Sequence, residues 1–397
     1  MLTKEENDLI TQTGPGTSCG DFMRRYWLPV ALLEEVPEEG RPVPVRLLGE
    51  DLVLFRDGTG RPGLLYRFCS HRAWDLAAGY PEDAGLRCAA HGWLYNREGQ
   101  CLEMPLEPPE SDFHEEIKHV AYPVEERAGL IFAYLGPGDP PLIPAYEFLS
   151  ARDDQRRATK YFQECNYLQG SEATLDPLVV PVLRQILNAG SEPENHDGEA
   201  DLAVMPEETN FGLRLRTAPK NAEAPATHTR SFMMPSISTA TATGMDGYAV
   251  HWHVPIDDTH HWRFVIAVRR DGPITDEDAR RNGVVLTERY RLDRDEVMRV
   301  LRERADAEGN FVAYTTALAE SQGPIVDRTH ESLGDADAGI VMMRSLIYGG
   351  IEDVSEGHDP LLVVRSDEDA VEIKADDARG EVAATDSRSS RAHPGTS

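Results

Sequence analysis

Residues 69–91 read CSHRAWDLAAGYPEDAGLRCAAH, and this stretch decides the fold. It offers Cys69 and His71 on one turn and Cys88 and His91 on another, with sixteen residues between His71 and Cys88. Two Cys-His pairs supply four soft or borderline metal ligands. A structural zinc ribbon would gather Cys2His2 into one tetrahedron and usually carries Cys-x-x-Cys on a knuckle. Here each knuckle holds one Cys and one His, so the two thiolates can bind one iron of a [2Fe–2S] cluster and the two imidazoles the other. Neutral imidazoles make such a cluster easier to reduce, at roughly −150 to +300 mV against about −400 mV for all-Cys plant-type clusters. That chemistry belongs to an electron relay. Trp93, just past His91, is expected to pack beside the cluster and limit its solvation.

Outward from these knuckles, residues 20–150 read as short strands punctuated by turns. Val43 to Phe55 is strand-like, and Asp57-Gly-Thr-Gly-Arg-Pro-Gly63 breaks it before Leu64 to Phe68. Asn96-Arg-Glu-Gly99 is a hairpin-type turn, and Gly129 to Leu135 is a strand ended by Gly136-Pro137. Proline density over 137–150 predicts a linker. Asn166 to Leu187 has helix-like spacing that Pro177 and Pro181 should kink or split. A strand-rich block over about 209–270 precedes helical segments at Thr275–Arg281, Asp293–Ala307 and Ala336–Tyr348. The order predicts an α+β chain: a small all-β domain with an N-terminal helical segment at 1–145, then a larger antiparallel sheet covered by helices at 146–374. Residues 375–397 hold little to bury and read as a disordered tail.

The chain has 397 residues, with Lys+Arg 40 against Asp+Glu 69 and a net charge of −29, which argues against nucleic acid or an anionic membrane surface as a partner. Five cysteines, an odd number, do not make a disulfide framework and fit reduced thiols, with Cys19, Cys101 and Cys165 expected as buried or half-buried ones. No segment approaches the roughly 20 apolar residues of a membrane span, and a cytoplasmic location is expected.

Several further stretches carry a resemblance: TGPGTSCGDFMRRYWLPVAL, VRLLGEDLVLFRD, CSHRAWDLA, LRCAAHGWLY, AYPVEERAGLIFAYLGPG, NYLQGSEATLDP, VPIDDTHHWRF and ESQGPIVDRTHESLGDAD. With them the chain, from Met1 to about Lys374, resembles the α subunit of a Rieske non-haem iron oxygenase of the phthalate-dioxygenase type. The resemblance implies a Rieske [2Fe–2S] domain followed by a helix-grip catalytic-type domain. It also implies a reaction in which electrons from a ferredoxin or flavin reductase, together with O2 at a mononuclear Fe(II), hydroxylate an aromatic compound or demethylate an aryl ether. Such subunits are typically trimeric, because the cluster of one chain serves the iron of its neighbour across an acidic bridge. His91 and Asp176 match those bridging positions.

In that family the Fe(II) sits in a triad of two His and one carboxylate. Counting from Asn166, Glu172 and Asp176, the two His positions fall on Val179 and Arg184; counting back from Glu320, the carboxylate position falls on Thr315. Val offers no lone pair, and Arg stays protonated and repels a dication. No catalytic residue is therefore expected in this chain, and the mononuclear Fe(II) is expected to be absent. Arg184 is expected to fill the vacated pocket and pair with Asp176 or another acid, with an exposed helix Arg as the alternative. His251 and His253 alternate onto one strand face, with His260 and His261 following; they read as a surface or packed pair rather than a metal site. His114, His119 and His330 read as solvent or capping residues.

These features predict an auxiliary Rieske subunit that relays electrons and assembles, as a trimer or hexamer, with a homologous iron-bearing α subunit. The alternatives are a self-sufficient mono- or dioxygenase with a non-standard iron site, and a non-catalytic redox or ligand-binding protein.

Overall fold

Alternation of apolar and polar residues over short runs, cut by glycine-containing turns, fixes the first half of the chain as sheet. The computed structural model describes residues 1–179, 202–220, 228–285, 290–293, 295 and 311–374. After two helices, α1 (Lys4–Thr11) and α2 (Ser18–Met23), come the strands β1 (Trp27–Leu32), β2 (Val43–Leu47), β3 (Glu50–Arg56) and β4 (Pro62–Tyr66). They are followed by β5 (Tyr80–Glu82), β6 (Gly85–Arg87), β7 (Leu94–Tyr95) and β8 (Cys101–Glu103). A short helix α3 (Phe113–Glu116) leads to β9 (Ala121–Tyr122), β10 (Val124–Arg127) and β11 (Leu130–Tyr134). They form three small antiparallel sheets ordered β1-β11-β10, β2-β3-β4-β9 and β5-β6-β7-β8. The single strand expected over Val43 to Phe55 is a hairpin instead: Leu48 and Gly49 both take positive φ, 49° and 78°, the conformation of a two-residue turn whose twist matches its strands.

The proline-rich stretch at 137–150 is not a free tether. Trp27 Nε1 donates to the Pro141 carbonyl at 2.7 Å, and Tyr146 and Phe148, the latter on the short helix α4 (Glu147–Ser150), are buried against Trp252 of the second sheet. Phe132 of β11 meets the same indole at 5.7 Å, so one hydrophobic core runs through both halves.

The second half is a seven-stranded antiparallel sheet ordered β12-β18-β17-β16-β15-β14-β13. Its strands are β12 (Arg156–Gln163), β13 (Leu202–Thr209), β14 (Gly212–Pro219), β15 (His228–Met233), β16 (Ile237–Thr241), β17 (Gly247–Asp257) and β18 (His260–Arg269). β12, unforeseen in the sequence, pairs along its length with β18. Helix α5 (Tyr167–Leu175) follows β12, and α6 (Asp276–Arg281), α7 (Phe311–Ser321) and α8 (Ala338–Ser355) follow the sheet. Helix α5 packs on β16, β17 and α7, while α8 packs on α2, β13 and β14. The stretch 311–321 was not foreseen as helical. The part of 166–187 beyond Val179, most of 293–307 and the 375–397 tail lie outside the described residues.

The two middle strands explain what the helices cover. In β17, Tyr248, Val250, Trp252 and Val254 point into the apolar core, so Ala249, His251 and His253 point to the other face. β18 alternates likewise: Phe264 and Ile266 join the core, while His261 and Arg263 share the face of the histidines through the pair His253↔Arg263. The face beneath α5 and α7 is thus buried yet polar.

Candidate metal centre and the polar face beneath the helices

Both metal-ligand turns have the same backbone geometry. Cys69 N–H donates to the Trp74 carbonyl at 2.9 Å and Cys88 N–H to the Trp93 carbonyl at 2.8 Å. The Cys69 and Cys88 carbonyls accept from Ala73 and Gly92 at 2.8 and 3.1 Å. The fourth residue after each Cys takes positive φ, 56° at Ala73 and 75° at Gly92, which costs a little at the alanine. Each turn is pinned from outside: Arg67 grips Asp75 with three contacts of 2.5–3.0 Å, and Arg87 bonds Glu82, Glu103 and the Gly92 carbonyl.

The ligand atoms converge. The Cys69 and Cys88 thiols hydrogen-bond each other, which pushes Cys69 up and Cys88 down to about 6, and the Cys88 sulfur also receives the Ala90 and His91 backbone N–H groups. The His71 and His91 rings lie 4.6 Å apart between centroids. His91 Nδ1 is buried with no hydrogen-bond partner, an orphaned lone pair of the kind a metal satisfies. Two paired thiols facing two paired imidazoles fit a [2Fe–2S] cluster with one iron on each pair. Among the described residues no group of three or more His, Cys, Asp or Glu is arranged around a single ion. Trp93 stacks on His71 at 4.6 Å and 8°, beside the centre as expected. The sequence reading missed Tyr95, whose hydroxyl lies 3.1 Å from Cys69 Sγ, and misplaced His119. His119 is 3% exposed; its Nε2–H donates to the Tyr66 carbonyl and its Nδ1 accepts from Ser70 Oγ, each at 2.7 Å, while its ring lies 4.7 Å from Tyr95. Its burial corrects the solvent reading; side-chain bonding to the residue between Cys69 and His71 makes it a support of the turn. His330 stays largely exposed.

The expected bridging residue Asp176 caps α5, where Pro177 stops the helix. Its carboxylate accepts from Leu178 N–H at 2.8 Å, and burial pushes its carboxyl up. Asn166 caps the other end and donates to the Thr11 and Asp258 carbonyls. Burial would raise Glu172, but Arg328 and Arg344, each at 2.8 Å, hold it below the usual range. Val179 is half-buried and brings only hydrocarbon. Thr315 is buried on α7; its Oγ1 donates to the Phe311 carbonyl at 2.7 Å and accepts from Arg263 Nη1 at 2.7 Å. Arg184 lies outside the described residues. Among the described residues, Arg230 donates to the Thr174 and Asp176 carbonyls at 2.5 and 2.8 Å.

The histidines of β17 are buried but do not act as a pair. His261 Nδ1–H donates to the Cys165 carbonyl at 2.8 Å, so its Nε2 accepts from His253 Nδ1–H at 2.9 Å, and His253 Nε2 meets Thr174 Oγ1 at 3.0 Å. His251 turns instead to Arg263, accepting at Nδ1 from Nε and Nη2 at 3.3 and 3.2 Å. Burial drives His251 and His253 well below the ordinary imidazole range and His261 to about 3. Cys19, Cys101 and Cys165 are buried and form no disulfide among the described residues.

A small β domain offering two thiols and two imidazoles from twin turns, packed on a seven-stranded sheet gripped by helices, defines a Rieske oxygenase α subunit. Comparisons agree. The Rieske [2Fe-2S] domain profile matches residues 26–122. The chain is 33% identical to the 5,5'-dehydrodivanillate O-demethylase oxygenase subunit of Sphingobium sp., over 92% of this chain and 84% of that protein. It is also 33% identical to the phthalate 4,5-dioxygenase oxygenase subunit of Pseudomonas putida, over 88% and 86%. The terminal oxygenase of carbazole 1,9a-dioxygenase from Nocardioides aromaticivorans shares the fold with a TM-score of 0.61 at 17% identity, over 87% of this chain and 97% of that one. The chain therefore belongs to the Rieske non-haem iron oxygenase α-subunit family, of the phthalate dioxygenase and demethylase type. No helix among the described residues is long and apolar enough to cross a membrane.

Proposed function

We propose that this chain is the auxiliary Rieske subunit of an aromatic-compound oxygenase, paired with an iron-bearing homologue. The observation that supports the reading is the Arg263–Thr315 contact at 2.7 Å, a guanidinium against the residue that the resemblance aligns with the family's carboxylate ligand. Cys69, His71, Cys88 and His91 would hold the [2Fe–2S] cluster, which when bound supplies one-electron storage at a mild potential. This chain's residues do the rest: twin turns fix the ligands, Trp93 shields His71, and Tyr95 bonds a ligand sulfur. His91 and Asp176 would face each other across a subunit boundary in a trimer or hexamer, with a ferredoxin or flavin reductase as donor and the aromatic substrate on the partner. The fold neighbours include a reduced complex between oxygenase and ferredoxin in carbazole 1,9a-dioxygenase.

The test is metal analysis with reconstitution. The auxiliary reading expects two irons and two acid-labile sulfides per chain, no turnover alone, and turnover on mixing with an iron-bearing homologue. The second reading is a self-sufficient oxygenase with a non-standard iron site. It is favoured by similarity along most of the chain to proteins that are themselves oxygenase subunits. It expects a third iron per chain and substrate-dependent NADH consumption by the homomer.

A further inference from the structure

His119 ties together three pieces of chain around the first ligand turn. Its backbone N–H donates to the Gly99 carbonyl at 2.7 Å, which fastens it to the hairpin that follows Tyr95. The approach is so close that a Cβ on Gly99, at φ 83°, would meet the His119 carbonyl oxygen at 2.1 Å. The ring spans the other two pieces. The Tyr66 carbonyl, at the end of β4, can only accept, so Nε2 carries the proton and donates to it at 2.7 Å. Nδ1 then keeps its lone pair and accepts at 2.7 Å from the hydroxyl of Ser70, the residue between Cys69 and His71. Burial holds the imidazole below its ordinary range, which favours that neutral form. One tautomer is thus fixed from β4, from the hairpin and from the ligand turn.

The same ring packs against Tyr95, 4.7 Å away between centroids and tilted by 31°. Tyr95 is fully buried, and its hydroxyl has one partner among the described residues, Cys69 Sγ at 3.1 Å. Trp93, another aromatic neighbour, is farther off at 6.4 Å. A thiolate bound to iron only accepts, so the hydroxyl donates, and a donor to a ligand sulfur eases the charge that an added electron brings. That bond needs the Cys69 turn and β7 held at one spacing, and His119 meets both, through Ser70 and through the Tyr95 ring. We propose that His119 is a positioning residue of the relay: it keeps the Tyr95 hydroxyl on the Cys69 sulfur and so sets the reduction potential at which the cluster takes its electron. The inference rests on the reading of Cys69 as a cluster ligand and does not depend on whether the second half of the chain binds iron.

Protein-film voltammetry of the full, cluster-loaded chain tests this with His119→Ala, Tyr95→Phe and the two combined, acid-labile sulfide being counted on each preparation. The expected result is a fall in potential in each single variant and, in the double variant, no fall beyond that of Tyr95→Phe alone, because one bond can be lost only once. His119→Gln, whose amide can donate to Tyr66 and accept from Ser70, should return the potential towards that of the parent. An unchanged or raised potential in His119→Ala, a double variant whose fall is the sum of the two, or a His119→Gln no different from His119→Ala overturns the proposal. If His119→Ala does not retain the sulfide content of the parent, Ser70→Ala takes its place. It should lower the potential in the parent and leave it unchanged in the Tyr95→Phe background, and any other pattern overturns the proposal. Cys69→Ala tests the underlying reading separately: a cluster that survives it removes Cys69 as a ligand, whereas loss of the cluster together with additive potentials sinks only the role of His119.

Discussion

The two polar centres of this molecule are built in opposite ways. At the cluster turns, the backbone satisfies itself, Cys88 N–H to Trp93 and Gly92 N–H to Cys88, and leaves the ligand side chains converging, with His91 Nδ1 unpartnered. Beneath α5 and α7, the side chains themselves are the filling: Arg263 spans from His251 to Thr315, and His253 and His261 are spent on Thr174, each other and the Cys165 carbonyl. The first arrangement presents lone pairs and asks for a cation. The second presents N–H groups and positive charge. The contrast teaches that polarity can be buried in two ways within one fold, as converging ligand atoms on a pair of turns and as a set of side-chain hydrogen bonds on a sheet face.

The contrast is broken most completely at the first centre. Cys88→Ala should abolish the [2Fe–2S] centre, removing the visible absorption and the acid-labile sulfide while far-ultraviolet circular dichroism changes little, since the turn is held by backbone bonds. A cluster that survives would remove the basis of the ligand assignment.

At the second centre the reverse operation should create a site. Val179→His, Arg184→His and Thr315→Asp combined with Arg263→Leu should raise bound iron by about one atom per chain, measured after anaerobic loading with ferrous salt. The same loading of the unmodified chain should leave two, and parity between them would show that these positions do not govern iron.

The buried histidines sharpen the comparison through pH. His251, His253 and His261 are held neutral in the fold, the last down to about 3, whereas in the unfolded chain each takes up a proton near its ordinary value of about 6.5. Below that value the unfolded state binds more protons, so stability is complete above about pH 6.5 and falls as the pH drops towards 3, by up to about 1.4 kcal/mol per pH unit for each histidine. Melting temperatures between pH 7 and 5 should therefore decline on acidification, and His261→Gln should flatten the slope. An unchanged slope in that variant would mean that His261 charges within the fold.

The smallest effect is expected at Tyr95. Removing its hydroxyl with Tyr95→Phe deletes a donor to the Cys69 sulfur and should lower the reduction potential by on the order of 50 mV, the one-electron equivalent of about 1 kcal/mol. Protein-film voltammetry reads the shift, and a rise would reverse the sense of that bond.

Legibility in the sequence followed the range of the interactions. Cys69, His71, Cys88 and His91 sit on two turns whose spacing alone announces their chemistry, and Trp93 lies two residues from a ligand. Tyr95 could have been found from the same strand, because residues 93 and 95 alternate onto one face. His119 could not: it reaches Ser70 from the far side of β8. Arg263 read as ordinary sheet sequence, although Thr315, the residue it meets, is 52 positions away. The hairpin at Leu48-Gly49 was missed because a non-glycine residue takes one of its positive φ angles.

The sequence by itself pointed to Cys69, His71, Cys88 and His91 as cluster ligands and determined the order of an all-β half before a helix-covered sheet, since each is a matter of residue type and local spacing. Only the tertiary structure decided that the 137–150 stretch packs on Trp252, that Arg230 donates to the Asp176 carbonyl, and that Arg263 spans His251 and Thr315. Those contacts join residues far apart in the chain, where burial and hydrogen-bond geometry, not periodicity, select the partner.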